Sequence, residues 1–535
     1  MYNKGLFHDW VPKPVMLLLL IVFLFPILFV SGIYTSNSSQ MISDLGILPE
    51  YISMARYAMY IGMGAILPLM GRIKMYLRSK EMMITCLFIL ALLSIVCATT
   101  NSPYVIIFSS FFIGIFKLLA LLDVVMIVMF IISPSGEREM FYSIFYPLSI
   151  GSGQISTFIT AKIAYNLQWQ SVYIIMAIIL LVLVLLAVIF MHNLRFSKKV
   201  PLYYFDWLSM LLYVVSFMFL NYVFSFSKQQ DWFYSTNIKF ALIAFLFFII
   251  WFFYRQSKLK RPYISLGIFT KKSYLQGFSL LLFLGLFLSS GTIQSTYTSG
   301  VLGYDSVTNS LLNVAMVIGV IMAGFIGFYG FKRNLSMKYF IMFGFASFTL
   351  YAIYMYFAVT TVVDFEYLII PMILKGLGMT VLYIGIWYYS YKDLSMSDFL
   401  PGATFLIVIR SFFSVGLFSA IVAWLYYKLQ LLSLSDLSVG MDTVSLAPQG
   451  GGMAVYKRVK IQSILAATKI MYGYYIMGGI VVLTYLTILR FNALHYRRLI
   501  LIKKVIKRES IKGYRFRKVK TKKEEIIIDS VGAAM

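Results

Sequence analysis

Apolar runs of about twenty residues recur along this chain from Val15 to Leu489, and each is long enough to cross roughly 30 Å of hydrocarbon as a helix. Inside a bilayer every backbone N–H and C=O must find a partner within the protein, so only helices and closed barrels span it. The runs lack the alternation of apolar and polar residues that a barrel strand requires. They therefore predict an all-α membrane protein.

The composition agrees with lipid as the main solvent. Hydrophobic residues make up 61% of the chain and charged residues 12%, whereas soluble domains are about half apolar and about a quarter charged. The first run, Val15 to Tyr34, is longer than the core of a usual signal peptide, and no small-residue cleavage site follows it. We therefore predict that this run is the first membrane span.

Charge clusters divide the apolar sequence into fourteen predicted transmembrane helices. These spans are residues 14–35, 52–71, 81–99, 104–132, 140–163, 171–191, 206–226, 236–254, 275–296, 306–330, 337–358, 367–388, 401–428 and 469–490. Two facing six-helix bundles are a common transporter plan. We predict one bundle at 1–191, a linker with two additional central helices at 192–272, a second bundle at 273–490 and a basic tail at 491–535.

Lys and Arg cluster in alternate loops, at 72–80, 195–199, 255–272 and 332–333. Positive residues stay on the cytoplasmic side, so both termini are predicted to be cytoplasmic. Residues 429–468 are then outside, although this long segment carries Lys457 and Arg458. The tail contributes much of the net charge of +26. Because the tail follows a span directly, we expect it to lie on anionic lipid headgroups, and we predict no nucleic-acid partner.

Several short motifs occur in a characteristic order along the chain. They are Gly71-Arg72 with Arg78, Gln168-Trp169-Gln170-Ser171-Val172-Tyr173, Phe205-Asp206-Trp207, Val301-Leu302-Gly303-Tyr304, Lys375-Gly376-Leu377-Gly378 and Val408-Ile409-Arg410-Ser411-Phe412-Phe413. Over nearly its whole length the chain resembles the fourteen-spanner drug:proton antiporter branch of the major facilitator superfamily. The resemblance implies a bacterial inner-membrane exporter, a gating loop at Gly71, Arg72 and Arg78, and a periplasmic adaptor protein as a partner.

The chain departs from this family where the family couples transport to protons. Lys74 and Leu77 stand where the gating loop usually carries an Asp and a second Gly. The acid of the first span is missing near Val30, and the Arg of the fourth span is missing near Phe111. The resemblance therefore implies the architecture more firmly than the coupling machinery.

Four ionisable residues are predicted deep within spans, where such residues usually face a cavity or a partner: Lys117, Asp123, Lys375 and Arg410. Lys117 and Asp123 are six positions apart, which places them about 240° apart around a helix. They are therefore not an intrahelical pair. Asp123 is the candidate proton-coupling residue, and the alternatives are a member of a structural ion pair or a residue near the membrane interface. Arg410 is a candidate to bind an anionic substrate or an acid across the cavity. The alternative for Arg410 is a hydrogen bond to backbone carbonyls of a neighbouring helix.

Other side chains are assigned to the substrate cavity or to the membrane surface. Lys117, Lys375 and Asn37 are the remaining substrate-cavity candidates. Asn37 belongs to a polar patch that ends span one, and this patch is either the outer mouth of the cavity or a solvated helix end. Trp387 lies in an aromatic tract that is interpreted as part of an interfacial belt.

Signatures of enzymes are missing from the sequence. The three histidines, His8, His192 and His495, lie outside the predicted spans, and no Gly-Lys-Ser/Thr phosphate loop occurs. We therefore predict no metal site, no cofactor and no enzyme activity. The predicted function is a secondary active transporter that exports amphipathic or lipophilic small molecules with proton coupling. The alternatives are an uptake permease, an uncoupled facilitator, or a non-transporting receptor or assembly factor with the same fold.

Overall fold

The computed structural model of the chain describes residues 6–132, 138–193, 206–333, 335–394, 398–439, 452–489 and 491. By contacts the chain divides into two units, Met1–Thr487 and Ile488–Met535. Nearly all of the predicted basic tail at 491–535 lies outside the described residues. The fold below is that of the first unit.

Within the described ranges the secondary structure is helical, apart from one isolated bridge between Phe7 and Met191. The helices are α1 (Lys13–Phe29), α2 (Ser38–Leu45), α3 (Pro49–Tyr76), α4 (Ser79–Thr99), α5 (Pro103–Ile132), α6 (Arg138–Asn166), α7 (Trp169–Phe190), α8 (Trp207–Phe226), α9 (Thr236–Lys258), α10 (Lys272–Leu288), α11 (Ser290–Gly300), α12 (Ser306–Lys332), α13 (Met337–Ala358), α14 (Phe365–Tyr391), α15 (Phe399–Val408), α16 (Ser414–Val439) and α17 (Gly452–Ile488).

Twelve helical segments in the described part of the chain are long and apolar enough to cross a membrane. One of them joins α10 to α11, and another joins α15 to α16. The apolar helix α1 has only 17 residues, and α6 is not among the twelve although it has 29. The all-α multi-pass membrane fold is confirmed, whereas the count of fourteen spans stays a prediction.

Two helices extend well beyond the spans predicted for them. The predicted spans leave 429–468 as an exterior segment, but α16 continues to Val439 and α17 begins at Gly452. At 37 residues α17 is about 55 Å long, which exceeds the hydrocarbon core of a bilayer. The charged first turns of α17, including Lys457 and Arg458, hide this extension from a search for apolar runs. Residues 440–451 between the two helices lie outside the described residues.

Helices α3 and α5 approach so closely that only glycine fits at their contact. A Cβ added to Gly114 would lie 2.0 Å from the carbonyl oxygen of Met59, and one added to Gly62 would lie 2.2 Å from that of Phe111. Small residues permit this kind of backbone contact between membrane helices.

The same contact recurs between α12 and α14. A Cβ on Gly319 would lie 2.0 Å from the carbonyl oxygen of Ile373, and one on Gly376 would lie 2.3 Å from that of Met316. The sequence Met-Tyr-Ile-Gly at 59–62 matches Met-Val-Ile-Gly at 316–319. This reciprocal glycine contact indicates an internal structural repeat.

We expect Gly114→Ala to destabilise the protein, because the new methyl group would overlap a backbone carbonyl of α3. Overpacking of this kind costs about 1–3 kcal/mol. Thermal unfolding of the purified protein in detergent measures the effect. The matched control is Gly153→Ala in α6, where nothing lies within 4 Å of the added Cβ. Equal stability of the two variants would show that α3 and α5 are not in close contact.

We call helices α1–α7 the first repeat and helices α10–α17 the second repeat. Helix contacts connect the two repeats and place the extra helices α8 and α9. α6 packs against α12, and α3 packs against α15. α8 packs against α9, α3 and α16. α9 is peripheral, because only 17% of its most apolar stretch of 18 residues is buried. The helix ends that carry the Lys/Arg loops 72–80 and 255–272 are called the basic end below. The opposite ends, near Asp44, Asp305 and Asp364, are called the acidic end.

Candidate functional site

Arg410 lies in a short π-helical turn, Ile409–Phe413, between α15 and α16. Such turns often occur at functional sites because the extra residue redirects side chains. The guanidinium carbon is 4.7 Å from the centre of the Tyr383 ring and 5.5 Å from that of Trp387. Both rings belong to α14, and their faces attract the cation. The Arg410 Nε–H donates to Ser411 Oγ at 3.3 Å.

Tyr146 of α6 adds a wall from the other repeat. Its ring centre is 6.1 Å from those of both Tyr383 and Trp387. We call Arg410, Tyr383, Trp387 and Tyr146 the Arg410 box. None of the ion pairs between described residues includes Arg410. The box therefore combines a fixed cation with aromatic faces, and helices of both repeats build it.

The burial of Trp387 shows that the sequence-based assignment of this residue to an interfacial aromatic belt is wrong. Its side chain is only 8% exposed. The reason is that neighbouring helices surround α14 on most sides. Of its most apolar stretch of 18 residues, 72% is buried. A position near a helix end therefore does not bring this ring to the membrane surface.

Asn37 ends a 3-10 turn, Thr35–Asn37, which lies between α1 and α2. The residue is fully buried, so it is not part of a solvated helix end. The neighbouring Ser36 Oγ lies 2.7 Å from Thr160 Oγ1 of α6, and the turn also contacts α12. Asn37 Nδ2 has no hydrogen-bond partner among the described residues. A buried unpaired amide is uncommon, and here it offers a donor where the two repeats meet.

Lys117 of α5 binds the end of α1 rather than the Arg410 box. Its Nζ donates to the carbonyl oxygen of Leu28 at 3.0 Å and also to that of Val30. These carbonyls lie where α1 stops, and the carboxyl end of a helix favours a cation. This geometry favours a structural role for Lys117.

Asp123 of α5 is fully buried and pairs with Lys74 at the basic end. The Lys74 Nζ lies 3.0 Å from Asp123 Oδ1. Lys74 stands where the related gating loop usually carries an acid, so the charges of α3 and α5 are complementary here. In the sequence Lys74 is recognisable only as a departure from the family pattern. The structure thus brings Asp123 together with Lys74, which was not among the predicted site residues.

The gating-loop residues lie mostly within helices. α3 continues to Tyr76, so Gly71 and Arg72 are helical rather than part of a loop. A Cβ on Gly71 would lie 3.7 Å from Leu400 Cδ1 at the start of α15. Arg78 precedes α4 and lies 3.8 Å from Glu81 in an exposed ion pair. Gly71 therefore lies next to the start of α15.

Lys375 is buried in α14, where its Nζ donates to Gln294 Oε1 of α11 at 2.8 Å. The same nitrogen lies 5.3 Å from the centre of the Tyr351 ring. These neutral partners were not found from the sequence, because Gln and Tyr in apolar helices give no distinctive pattern. Lys375 is thus part of a second polar cluster, within the second repeat.

Two acids at the helix ends are held in the ionised form. Burial acts to raise the pKa of Asp206, but hydrogen bonds from Arg255 and Ser209 outweigh it and lower the pKa of that carboxyl. A hydrogen bond from Trp424 is the largest cause that lowers the pKa of Asp231. A carboxylate with a lowered pKa stays charged at neutral pH, so neither residue suits a proton carrier.

Two grooves open on the surface of the second repeat and are separate from these clusters. One, of about 620 Å³, lies between α13 and α14, and another, of about 480 Å³, lies between α13 and α17. Their walls are mainly apolar and include Leu350, Phe357, Phe343 and Ile480. Neither groove is lined by Arg410, Lys375 or Asn37.

The fold and the family of the chain are shown by comparison with known proteins. The crystal structure of the nucleoside transporter NupG has a TM-score of 0.52 and 14% identity, covering 89% of this chain and 99% of its own. The crystal structure of tetrameric PepTSo2 has a TM-score of 0.54 and 12% identity, covering 93% and 99%. A structure from a study of proton dependent oligopeptide transporters has a TM-score of 0.55 and 12% identity, covering 89% and 99%.

At these identities the similarity is one of fold alone. No curated protein sequence matches the chain. The sequence model of the Major Facilitator Superfamily matches residues 18–397, which is well over half of the chain. With its multi-pass helical fold and transporters as structural neighbours, the chain belongs to the Major Facilitator Superfamily.

Proposed function

We propose that this protein is a secondary active transporter that exports an amphipathic small molecule with an anionic group, driven by the proton gradient. The observation that carries the proposal is the Arg410 box. A guanidinium is a planar fork of donors that matches a carboxylate, sulfonate or phosphate. Within the described ranges no acid neutralises Arg410, so the fork is available to a ligand.

The aromatic members of the box account for the rest of the ligand. Tyr383, Trp387 and Tyr146 offer large flat faces, which suit an apolar or aromatic body next to the anionic group. Both repeats contribute to this wall, so a movement of one repeat relative to the other would change the contacts of a ligand bound there. The unpaired Nδ2 of the buried Asn37 supplies a further donor between the repeats.

A second candidate function is transport without protons, by an uptake permease or a facilitator. The ion pair between Asp123 and Lys74 favours it, because the pair gives the buried acid a structural role that requires no proton transfer. The missing acid near Val30 points in the same direction. A receptor or assembly factor that does not transport is the third alternative.

The membrane arrangement that we propose has fourteen spans, with α1 and α6 added to the twelve apolar segments. Two six-helix bundles, 1–191 and 273–490, flank α8 and α9 in the linker at 192–272. The protein is placed in the bacterial inner membrane with both termini cytoplasmic and the tail at 491–535 on anionic lipid. A periplasmic adaptor protein is proposed as a partner on the basis of the family resemblance alone.

Labelling of single cysteines tests this topology. In a background without Cys86 and Cys97, we expect Ser257→Cys to react only after the inner face is opened, because it lies at the basic end. Val362→Cys, whose parent residue is 82% exposed at the acidic end, should react from outside in intact cells. Both cysteines reacting from the same side would refute the arrangement.

Transport into proteoliposomes tests the function. We expect an anionic aromatic probe, a naphthalenesulfonate dye, to move faster in vesicles with the protein than in empty vesicles. An imposed pH gradient should drive its accumulation. Movement that ignores the gradient would identify a facilitator, and no movement of anionic, neutral or cationic dyes would favour the receptor or assembly factor.

A further inference from the structure

Lys375 is a buried cation whose contacts with described residues are to neutral groups. Lys375 is only 7% exposed, and none of the ion pairs between described residues includes it. Gln294 Oε1 accepts its hydrogen bond, and the Tyr351 ring lies beneath its Nζ. An ionisable group buried in a membrane span without a counter-charge is costly, and it is usually retained for function.

The polar groups around Lys375 form a continuous cluster from three further helices. The Tyr351 Oη–H of α13 donates to the same Gln294 Oε1 at 3.3 Å, and Tyr351 Oη lies 3.2 Å from Tyr472 Oη of α17. Gln294 itself belongs to α11. Among the described residues, the titratable groups next to Lys375 are the phenols of Tyr351 and Tyr472, and Tyr475 adjoins Tyr472 with 6.2 Å between ring centres. No ion pair between described residues brings a carboxylate to this cluster. Lys375 is the basic group of the cluster, the one that becomes charged when it accepts a proton.

The cluster retains its hydrogen bonds in either protonation state of Lys375. A neutral amine still has N–H groups that can donate to Gln294 Oε1, and this oxygen also accepts from Tyr351. Lys117 provides the contrast, since it binds two carbonyls at the carboxyl end of α1, which favour the cation. The two buried lysines thus occupy different kinds of sites.

We propose that Lys375 binds and releases the coupling proton of the transport cycle. The proposal rests on the proton-coupled transport proposed above, and it assigns the coupling proton to the second repeat instead of to Asp123. The neutral amine of Lys375 takes a proton from hydronium on one side, so one N–H bond forms as one O–H bond breaks. The ammonium later gives that proton to a water molecule on the other side, where the N–H bond breaks and an O–H bond forms.

Helix α14 connects this proton site to the Arg410 box. Tyr383 and Trp387 follow Lys375 by eight and twelve residues, about 12 and 18 Å along the helix axis. The bond from Lys375 to Gln294 also joins α14 to α11, which begins after an interruption of the helix at Ser289. A change of charge on Lys375 alters the contact between α14 and α11, and α14 carries two walls of the box. Proton binding and ligand binding therefore share one helix.

Lys375→Arg separates the charge of this residue from its proton exchange, because an arginine in a protein does not lose its proton. Proteoliposomes report two quantities for a naphthalenesulfonate dye: accumulation driven by a pH gradient, and counterflow without a gradient. We expect the variant to lose gradient-driven accumulation while counterflow persists. Its counterflow should no longer change with pH, because the substituted side chain keeps its charge throughout. Lys117→Arg is the matched control and should keep the pH profile of the unmodified protein.

A double variant, Lys74→Gln with Asp123→Asn, tests the other candidate proton carrier without leaving an unpaired charge. It should keep the response to the gradient. If Lys375→Arg accumulates the dye with an unchanged pH profile, Lys375 does not carry the proton, although transport itself stands. If the unmodified protein ignores the gradient, proton coupling is wrong and the role of Lys375 is refuted with it.

A milder variant keeps the test valid if Lys375→Arg does not fold. Tyr351→Phe retains the ring beneath Lys375 but removes the hydroxyl that shares Gln294 Oε1. We expect it to fold and to move the midpoint of the counterflow pH profile. An unchanged midpoint would overturn the proposal.

Discussion

Replacement of Arg410 with Lys should weaken the binding of an anionic amphipath about tenfold to a hundredfold, although the positive charge is retained. Hydrogen bonds to charged groups contribute about 1.5–3 kcal/mol each. A lysine ammonium can replace neither the fork of donors nor the contact of a guanidinium with the face of the Tyr383 ring. The Kd of a fluorescent naphthalenesulfonate for the detergent-purified protein measures this loss. Arg410→Gln, which removes the charge as well, should bind the dye more weakly still.

Two controls distinguish the loss of the Arg410 site from a general effect of removing a positive charge. Lys239→Gln removes an exposed cation from the peripheral helix α9 and should leave the Kd unchanged. A cationic dye with the same ring system should bind Arg410→Gln no more weakly than it binds the unmodified protein. If both Arg410 variants bind the anionic dye normally and transport it at equal reconstituted amounts, the box is a structural feature of α14 and α15.

The membrane fold was predictable because hydrocarbon imposes a simple rule on the sequence. A span must be apolar over about twenty residues, and the chain repeats this pattern from end to end. Helix ends outside hydrocarbon follow no such rule, so the first turns of α17 and the last turns of α3 were missed. The internal repeat could not be recognised from the sequence, because the match between 59–62 and 316–319 is only four residues long. The repeat is evident only when Gly62, Gly114, Gly319 and Gly376 are seen to meet backbone carbonyls across helices.

The candidate residues themselves were recognisable from the cost of burying charge, but their partners were not. Charged residues are rare within the apolar runs, so a sequence search finds these four at once: Lys117, Asp123, Lys375 and Arg410. Their partners are a pair of backbone carbonyls, a lysine from another helix, an amide with a phenol, and aromatic rings. None of these partners is distinctive in sequence, and helix packing alone brings them together.

The pairing of Asp123 with Lys74 leads to the second large expected effect. Asp123→Asn leaves a lysine facing a neutral buried side chain, and removal of one partner of a buried ion pair costs about 3–5 kcal/mol. We expect a lower Tm and weaker transport in every assay, with and without a pH gradient. Restoration of both by the double variant, Lys74→Gln with Asp123→Asn, would identify a structural ion pair.

The opposite outcome has an equally clear signature, because a proton carrier and an ion pair fail in different ways. A carrier that cannot be protonated loses only gradient-driven accumulation, and removal of Lys74 does not restore it. Asp123→Asn with a normal Tm, normal counterflow and no accumulation would therefore make Asp123 the coupling residue. The comparison with Lys375→Arg in the same vesicles then decides the proton site, since only one of the two variants is expected to make counterflow insensitive to pH.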